Sequence, residues 1–217
     1  MDWGRMPASA RKTRAALQPR AFGRTMIRRH LKAILLASLA TLTLAISTSD
    51  SVATTGVCER EISAAALKYR IPEGILYSVG LTETGRRGSL QPWSLNVEGK
   101  AHFEKSAEDA IRTFEAAQNQ GAVLIDLGCM QINHHFHSEN FGSVAEMLNP
   151  RKNVEYAAKF LAQLHAKHVT WTMAVARYHA GPNNNPAQKM YVCRVISNLV
   201  ATGYGNWTPQ AQKFCSN

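Results

Sequence analysis

Acidic residues are nearly missing from the first quarter of this chain: of 15 Asp and Glu, only Asp2 and Asp50 precede residue 54. Nine of the 25 Lys and Arg fall between Arg5 and Lys32, so the formal charge of +10 belongs mostly to that segment. Residues 54–217 carry 16 basic against 13 acidic side chains, and no dense Lys/Arg stripe remains to hold a nucleic acid. Charge is low at 18% and hydrophobic content is 45%, which excludes a disordered chain. Long apolar runs are also lacking. The longest, Ala33 to Ile46, is broken by Ser38, Thr41 and Thr43 and is too short for a transmembrane helix. With Arg28-Arg29 before it and Ser51-Val52-Ala53 after it, it has the three-part pattern of a secretory signal peptide. The domain reading is therefore an upstream extension at 1–25, a signal peptide at 26–53 cleaved after Ala53, and one folded domain at 54–217. That predicts an exported protein of the periplasm or cell envelope with no stable membrane anchor. No cysteine sits directly after the cleavage point, so a lipid anchor is not indicated.

No CxxC pair is present, which argues against structural zinc. The four cysteines, Cys58, Cys129, Cys193 and Cys215, all lie in the exported part, and an even count there predicts two disulfides. Three pairings are open.

Helical periodicity marks most of the domain. Ile62, Ala65, Ala66 and Tyr69 share one face of a helix beginning near Cys58, and Pro72 opens a second that runs to Thr84 and stops near Gly85 and Gly88. Trp93 to Val97 and Ala101 to Glu104 flank a glycine turn and read as a hairpin. Ser106 followed by Asp109 caps a helix to about Asn119. Val123 to Ile125 reads as a third strand, and Ser143 with Glu146 opens a brief helix before Asn149-Pro150. Further helices are predicted over Asn153 to His165, Trp171 to His179 and Pro186 to Thr202, the first with Val154, Ala157, Ala158, Leu161 and Leu164 on one face. The fold class is mainly α (α+β), with a small β-hairpin insert in a helical domain.

Glu83 ends a nearly all-apolar helix between Thr82 and Thr84. A carboxyl set against apolar surface has its charged form disfavoured and its pKa raised, as a general acid near neutral pH requires. No convincing second acid accompanies it. Asp126 is the nearest candidate, and an aspartate at a strand end is read here as capping a turn or binding backbone amides. His134, His135, His137 and Glu139 crowd one segment but lack HExxH spacing, so they are read as a solvated, partly packed loop, and no metal is assigned.

Glu83-Thr84, "GCMQIN" from Gly128, "NVEYAAKFLAQL" from Asn153 and "ARYHAGP" from Ala176 follow one another in a specific order. In these motifs the chain resembles the lytic transglycosylases of the lysozyme-like superfamily. Their pattern is Glu-Ser, then Gly-Leu-Met-Gln-Ile, then Asn-Ile-x-x-Gly-x-x-Tyr-Leu, then Ala-Tyr-Asn-Ala-Gly. Departures are Thr84 for Ser, Cys129 for Leu, Ala158 for Gly and His179 for Asn. The resemblance implies a lysozyme-like domain that acts on the glycan strands of peptidoglycan without cofactors. It also implies Glu83 as a single catalytic acid/base and Tyr178 as the residue that holds its orientation. Thr84, Met130, Gln131, Ala180 and Gly181 are the implied substrate-binding positions. The cleaved bond would join N-acetylmuramic acid to N-acetylglucosamine and leave a 1,6-anhydro end. Small enzymes of this kind open the wall for secretion, conjugation, pilus or flagellar assembly, although no segment identifies such a machine. A hydrolytic muramidase and a non-catalytic wall-binding or assembly protein are the alternatives.

Overall fold

Local capping signals set most element boundaries in the computed structural model, which describes residues 56–216 except 87 and 182. The upstream extension and signal peptide expected over 1–53 lie outside the described residues. Helices α1 (Val57–Tyr69) and α2 (Glu73–Thr84) are joined across Arg70, which takes a left-handed conformation at φ 55° and returns its amide to Ala66 and Leu67. Strands β1 (Ser94–Val97) and β2 (Lys100–Phe103) follow. Their turn residues Glu98 and Gly99 both have positive φ, at 49° and 88°, as a tight two-residue hairpin demands.

Ser106 accepts the amide of Asp109 at the start of α3 (Ala107–Asn119), as the cap signal predicts. The third strand, expected over residues 123–125, instead spans β3 (Ile125–Leu127). The physical reason lies in the hairpin tip, where the Glu98 carboxylate accepts the amides of Val123 and Leu124, both at 2.8 Å. Those donors are thus occupied before pairing begins with Ile125 opposite Val97. A two-residue strand β4 (Ile132–Asn133) completes an antiparallel sheet in the order β2-β1-β3-β4, so the hairpin is half of a four-stranded unit.

The histidine segment expected as a loop is a helical turn, α4 (His134–His137), continued by a 3₁₀ turn through Asn140. Its rings face different partners: His134 packs on Phe114, and His137 Nδ1 lies 2.9 Å from the Tyr156 hydroxyl. Next come α5 (Val144–Met147), α6 (Pro150–His168), α7 (Trp171–His179), α8 (Asn185–Ala201) and α9 (Pro209–Ser216). Helices α1, α2, α6, α7 and α8 enclose the main core, with Ile62, Leu76, Val79, Leu161 and Ile196 almost wholly buried. Gly80 lets α2 approach closely, because a Cβ there would lie 2.5 Å from Leu90 Cδ2 and 3.1 Å from Met130 Sδ. The fold is mainly α with a small sheet at one side, as the sequence predicts. No described helix is long and apolar enough to cross a membrane.

Both expected disulfides are present, as Cys58–Cys129 and Cys193–Cys215. The first ties α1 to the turn between β3 and β4. The second fastens α9 to the middle of α8.

Candidate active site

The last turn of α2 is held by its own neighbours. Thr84 donates its hydroxyl to the Cys129 carbonyl at 2.9 Å and accepts the Gln91 amide, so the helix end is tied to the β3–β4 turn. Glu83, one residue earlier, keeps partial exposure while Thr84 is buried. The turn beneath it is forced into a narrow shape by Gly128 and Gln131, both at positive φ, 77° and 47°. A side chain on Gly128 could not fit, since its Cβ would lie 2.7 Å from Asn153 Nδ2.

Asn153 is the clamp for that turn. Its Nδ2 donates to the carbonyls of Leu127 and Met147, both at 2.8 Å, and its Oδ1 accepts the Met130 amide at 2.9 Å. It is wholly buried, so three backbone groups depend on it for their hydrogen bonds. Tyr178 adds a fourth restraint by donating to the Met130 carbonyl at 2.9 Å.

The Glu83 carboxyl itself is met by a different tyrosine. Tyr191, on the buried face of α8, donates to Glu83 Oε1 at 2.5 Å. Burial pushes the Glu83 pKa from 4.5 up to about 8; the Tyr191 hydrogen bond opposes this and the nearby charge of Asp126 adds to it. Tyr178 and Tyr191 are held well above the usual phenol range, first by burial and then by the Glu83 charge, so both remain proton donors. His179 stacks flat on Tyr191, with ring centroids 4.2 Å apart and planes 2° from parallel. Partial enclosure and then the charge of Arg194 push its pKa down.

A carboxyl that is protonated near neutrality, still reachable from solvent, and gripped by a tyrosine at the end of an apolar helix is the equipment of a general acid. Residues 61–194, more than half of the chain, match the family model of the Transglycosylase SLT domain. The chain belongs to that family. SLT domains act on peptidoglycan, and the lysozyme-like, mainly α architecture agrees with membership. No curated protein and no solved structure matches the chain closely enough to add a nearer relative.

Within this SLT domain the predicted positions fall into distinct surroundings. Glu83 and Tyr178 come together, close enough for the carboxylate charge to act on the phenol. Thr84 and Met130 are enclosed, 3% and 0% exposed, so their side chains shape the site from beneath instead of facing a ligand. Gln131 is half-buried and gives its Nε2 to Ser94 and Gly128, leaving Oε1 as the free acceptor of its amide. Ala180 is buried and Gly181 exposed, and Gln188 Nε2 donates to both their carbonyls. The reading of Asp126 as a turn cap is corrected. It sits in the middle of β3, registered against Asn133, and accepts that side chain's Nδ2 at 2.7 Å; burial raises its pKa.

Tyr191 and Asn153 are the residues that sequence reasoning missed. A signal for the first was there: Gln188, Tyr191, Val192, Val195, Ile196 and Leu199 form the inward stripe of α8, and a tyrosine on such a stripe needs a buried hydrogen-bond partner.

Proposed function

We propose that the protein is a peptidoglycan lytic transglycosylase that cleaves the β-1,4 bond between N-acetylmuramic acid and N-acetylglucosamine, with Glu83 as its single general acid/base. Protonated Glu83 donates to the glycosidic oxygen as the bond to the anomeric carbon breaks. The resulting carboxylate removes the proton of the muramyl 6-hydroxyl, whose oxygen closes on the anomeric carbon and leaves a 1,6-anhydro end. The observation that carries this reading is the Glu83 pKa of about 8 in a carboxyl held by Tyr191. A carboxyl with that pKa is mostly protonated and uncharged at neutral pH, ready to donate, and becomes a competent base once it has given the proton away.

In this assignment Tyr191 orients the carboxyl and stabilises its charged form. Tyr178 and Asn153 fix the Met130 backbone, and Gln131 Oε1 accepts a sugar or acetamido donor. Ala180 and Gly181 form the rim, and no metal or organic cofactor takes part. Export to the periplasm or cell envelope suits the two disulfides, which persist in oxidising compartments. Local wall opening for a secretion, conjugation, pilus or flagellar assembly is the task such an enzyme would serve.

The deciding experiment is mass spectrometry of fragments released from purified peptidoglycan. Anhydro-muramyl ends are the expected products. Reducing ends would support hydrolysis instead, a reading favoured by one observation: Asp126 is near enough for its charge to raise the Glu83 pKa. Two-carboxylate glycosidases place the groups about 5–5.5 Å apart for retention and about 6.5–9.5 Å for inversion. No products at all would leave a wall-binding or assembly protein.

The two tyrosines are separable by kinetics. Tyr191→Phe removes a hydrogen bond that favours the carboxylate, so the Glu83 pKa should rise and the alkaline limb of kcat/KM should move to higher pH. Turnover should fall by about tenfold or more, since a hydrogen bond to a charged group contributes about 1.5–3 kcal/mol. Tyr178→Phe should also slow turnover with little change in fold, but leave that limb in place, because its hydroxyl serves Met130. An unmoved limb in Tyr191→Phe would refute the assignment of Tyr191.

A further inference from the structure

Tyr191 is only 2% exposed, although its hydroxyl holds a carboxyl that is itself open to solvent. Part of its cover is His179, the last residue of α7. The imidazole lies flat on the phenol ring, 4.2 Å between centroids and 2° from parallel, while His179 itself is exposed. An exposed ring laid on a buried one shuts water away from that face of the buried ring. The end of α7 is fixed there from α8, because Gln188, one turn before Tyr191, donates Nε2 to the carbonyls of Ala180 and Gly181. At neutral pH the imidazole is uncharged, since partial enclosure and then the charge of Arg194 keep its pKa below 6.5. A neutral ring brings no cation that would favour the carboxylate form of Glu83. Asparagine, which the resembled pattern carries at this position, has no ring to lay on Tyr191.

We propose that His179 is a positioning residue that acts through Tyr191: its ring roofs the Tyr191–Glu83 hydrogen bond, keeps water from entering beside it, and so holds the carboxyl in the protonated form that donation needs. The inference rests on the assignment of Glu83 as the general acid. At Glu83 burial is the largest influence and favours the neutral carboxyl, while the Tyr191 hydrogen bond favours the carboxylate. His179 serves the first and Tyr191 the second. Opening the roof therefore lowers the Glu83 pKa, the reverse of removing the Tyr191 hydroxyl. Tyr191 keeps its own place without His179, because it belongs to the inward stripe of α8 with Gln188, Val192 and Val195. The other titratable or charged groups around the pair are Asp126 on β3, Tyr178 on α7 and Arg194 on α8, and a substitution at residue 179 leaves all three in position.

A carbon-13 NMR titration of the Glu83 carboxyl in the full chain, assigned by its loss in Glu83→Gln, tests this without substrate. His179→Ala and His179→Asn should each move the Glu83 pKa down from about 8 by about one unit. His179→Phe keeps a flat ring that cannot titrate and should leave the value in place. In kinetics the same shift leaves kcat/KM of the alanine variant near wild type at about pH 6 and lowers it about tenfold at about pH 9. The reason is that above its pKa the protonated fraction of a carboxyl falls tenfold for each unit by which the pKa drops. An unchanged or raised Glu83 pKa in His179→Ala, or a phenylalanine variant shifted as far as the alanine one, would overturn the proposal. Because the titration needs no turnover, the outcome separates from the catalytic assignment. A downward shift rescued by phenylalanine in a protein that releases no anhydro ends would keep the roof and remove the transglycosylase reading. Anhydro ends from a protein whose Glu83 pKa ignores residue 179 would do the reverse.

Discussion

Glu83→Gln should lower the rate of fragment release from peptidoglycan by about 10³-fold, within the range of about 10²–10⁴ that a positioned general acid/base contributes. Glutamine keeps the shape and can still meet the Tyr191 hydroxyl, but it neither gives nor takes a proton. The same substitution has a stability signature that needs no substrate. In the folded protein the Glu83 pKa is raised from 4.5 to about 8, so the neutral carboxyl favours folding fully below about 4.5. Between those values the folded state holds a proton that the unfolded chain has released, and stability falls as pH rises through about 8. Glutamine never pays that charge-burial penalty. Relative to wild type, the variant should therefore melt progressively higher as pH goes from 5 to 9, and the gap should be smallest at the acid end. Calorimetric scans across that range check it; a gap that stays constant with pH would mean that the Glu83 pKa is not raised.

Wild-type activity should follow the same titration. In the proposed mechanism protonated Glu83 is the donor, so kcat/KM should decline above about pH 8. A decline centred near 4.5 would instead describe an ordinary solvated carboxylate.

How much of this could be read in the chain depends on the range of the interaction. Two caps formed within three residues were legible, Ser106 and Ser143 accepting the amides of Asp109 and Glu146, whereas the Asn149 cap was not, and α6 begins at Pro150, ahead of the expected Asn153. The apolar faces of α1 and α6 were legible for the same reason, since they depend on local periodicity. Glu83 itself stood out because a carboxylate at the end of an apolar helix is a local anomaly. Strand β4 was invisible, because two residues become a strand only through partners Asp126 and Leu127. Helix α9 is eight residues long and carries only one wholly apolar stripe position that is buried, Ala211, so its placement leans on Cys193–Cys215. The partner of Glu83 is 108 residues away, a separation at which sequence pattern says that Tyr191 is inward-facing but not what it faces. Asn153 belongs to the same class: its asparagine side chain replaces a missing stretch of regular hydrogen bonding across three separate segments.

Loss of the Cys58–Cys129 bridge should be the largest stability change that leaves the catalytic residues untouched. The bridge spans 71 residues of sequence, and the chain-entropy relation assigns about 4 kcal/mol to a loop of that length. The bridge of 22 residues between Cys193 and Cys215 is assigned about 3 kcal/mol by the same relation. For a domain of this size, about 4 kcal/mol corresponds to a fall in melting temperature on the order of 10 °C. Both Cys58 and Cys129 are fully buried, so a Cys58→Ala/Cys129→Ala variant also leaves space in the core and should fall further. Cys58→Ala/Cys129→Leu separates the two effects, because leucine restores volume at the position where the resembled family carries it, without the cross-link. If volume dominates, this variant melts near the wild type; the expected result is that it recovers only part of the loss. Activity should fall with stability in the alanine variant, since Cys129 carries the carbonyl that anchors Thr84 and precedes Met130, the residue gripped by Asn153 and Tyr178. A covalent tie to α1 at this one turn thus holds the floor under Glu83, where a relative relying on leucine would depend on packing alone. An alanine variant with wild-type melting and turnover would show that hydrogen bonds through Asn153 suffice to hold it.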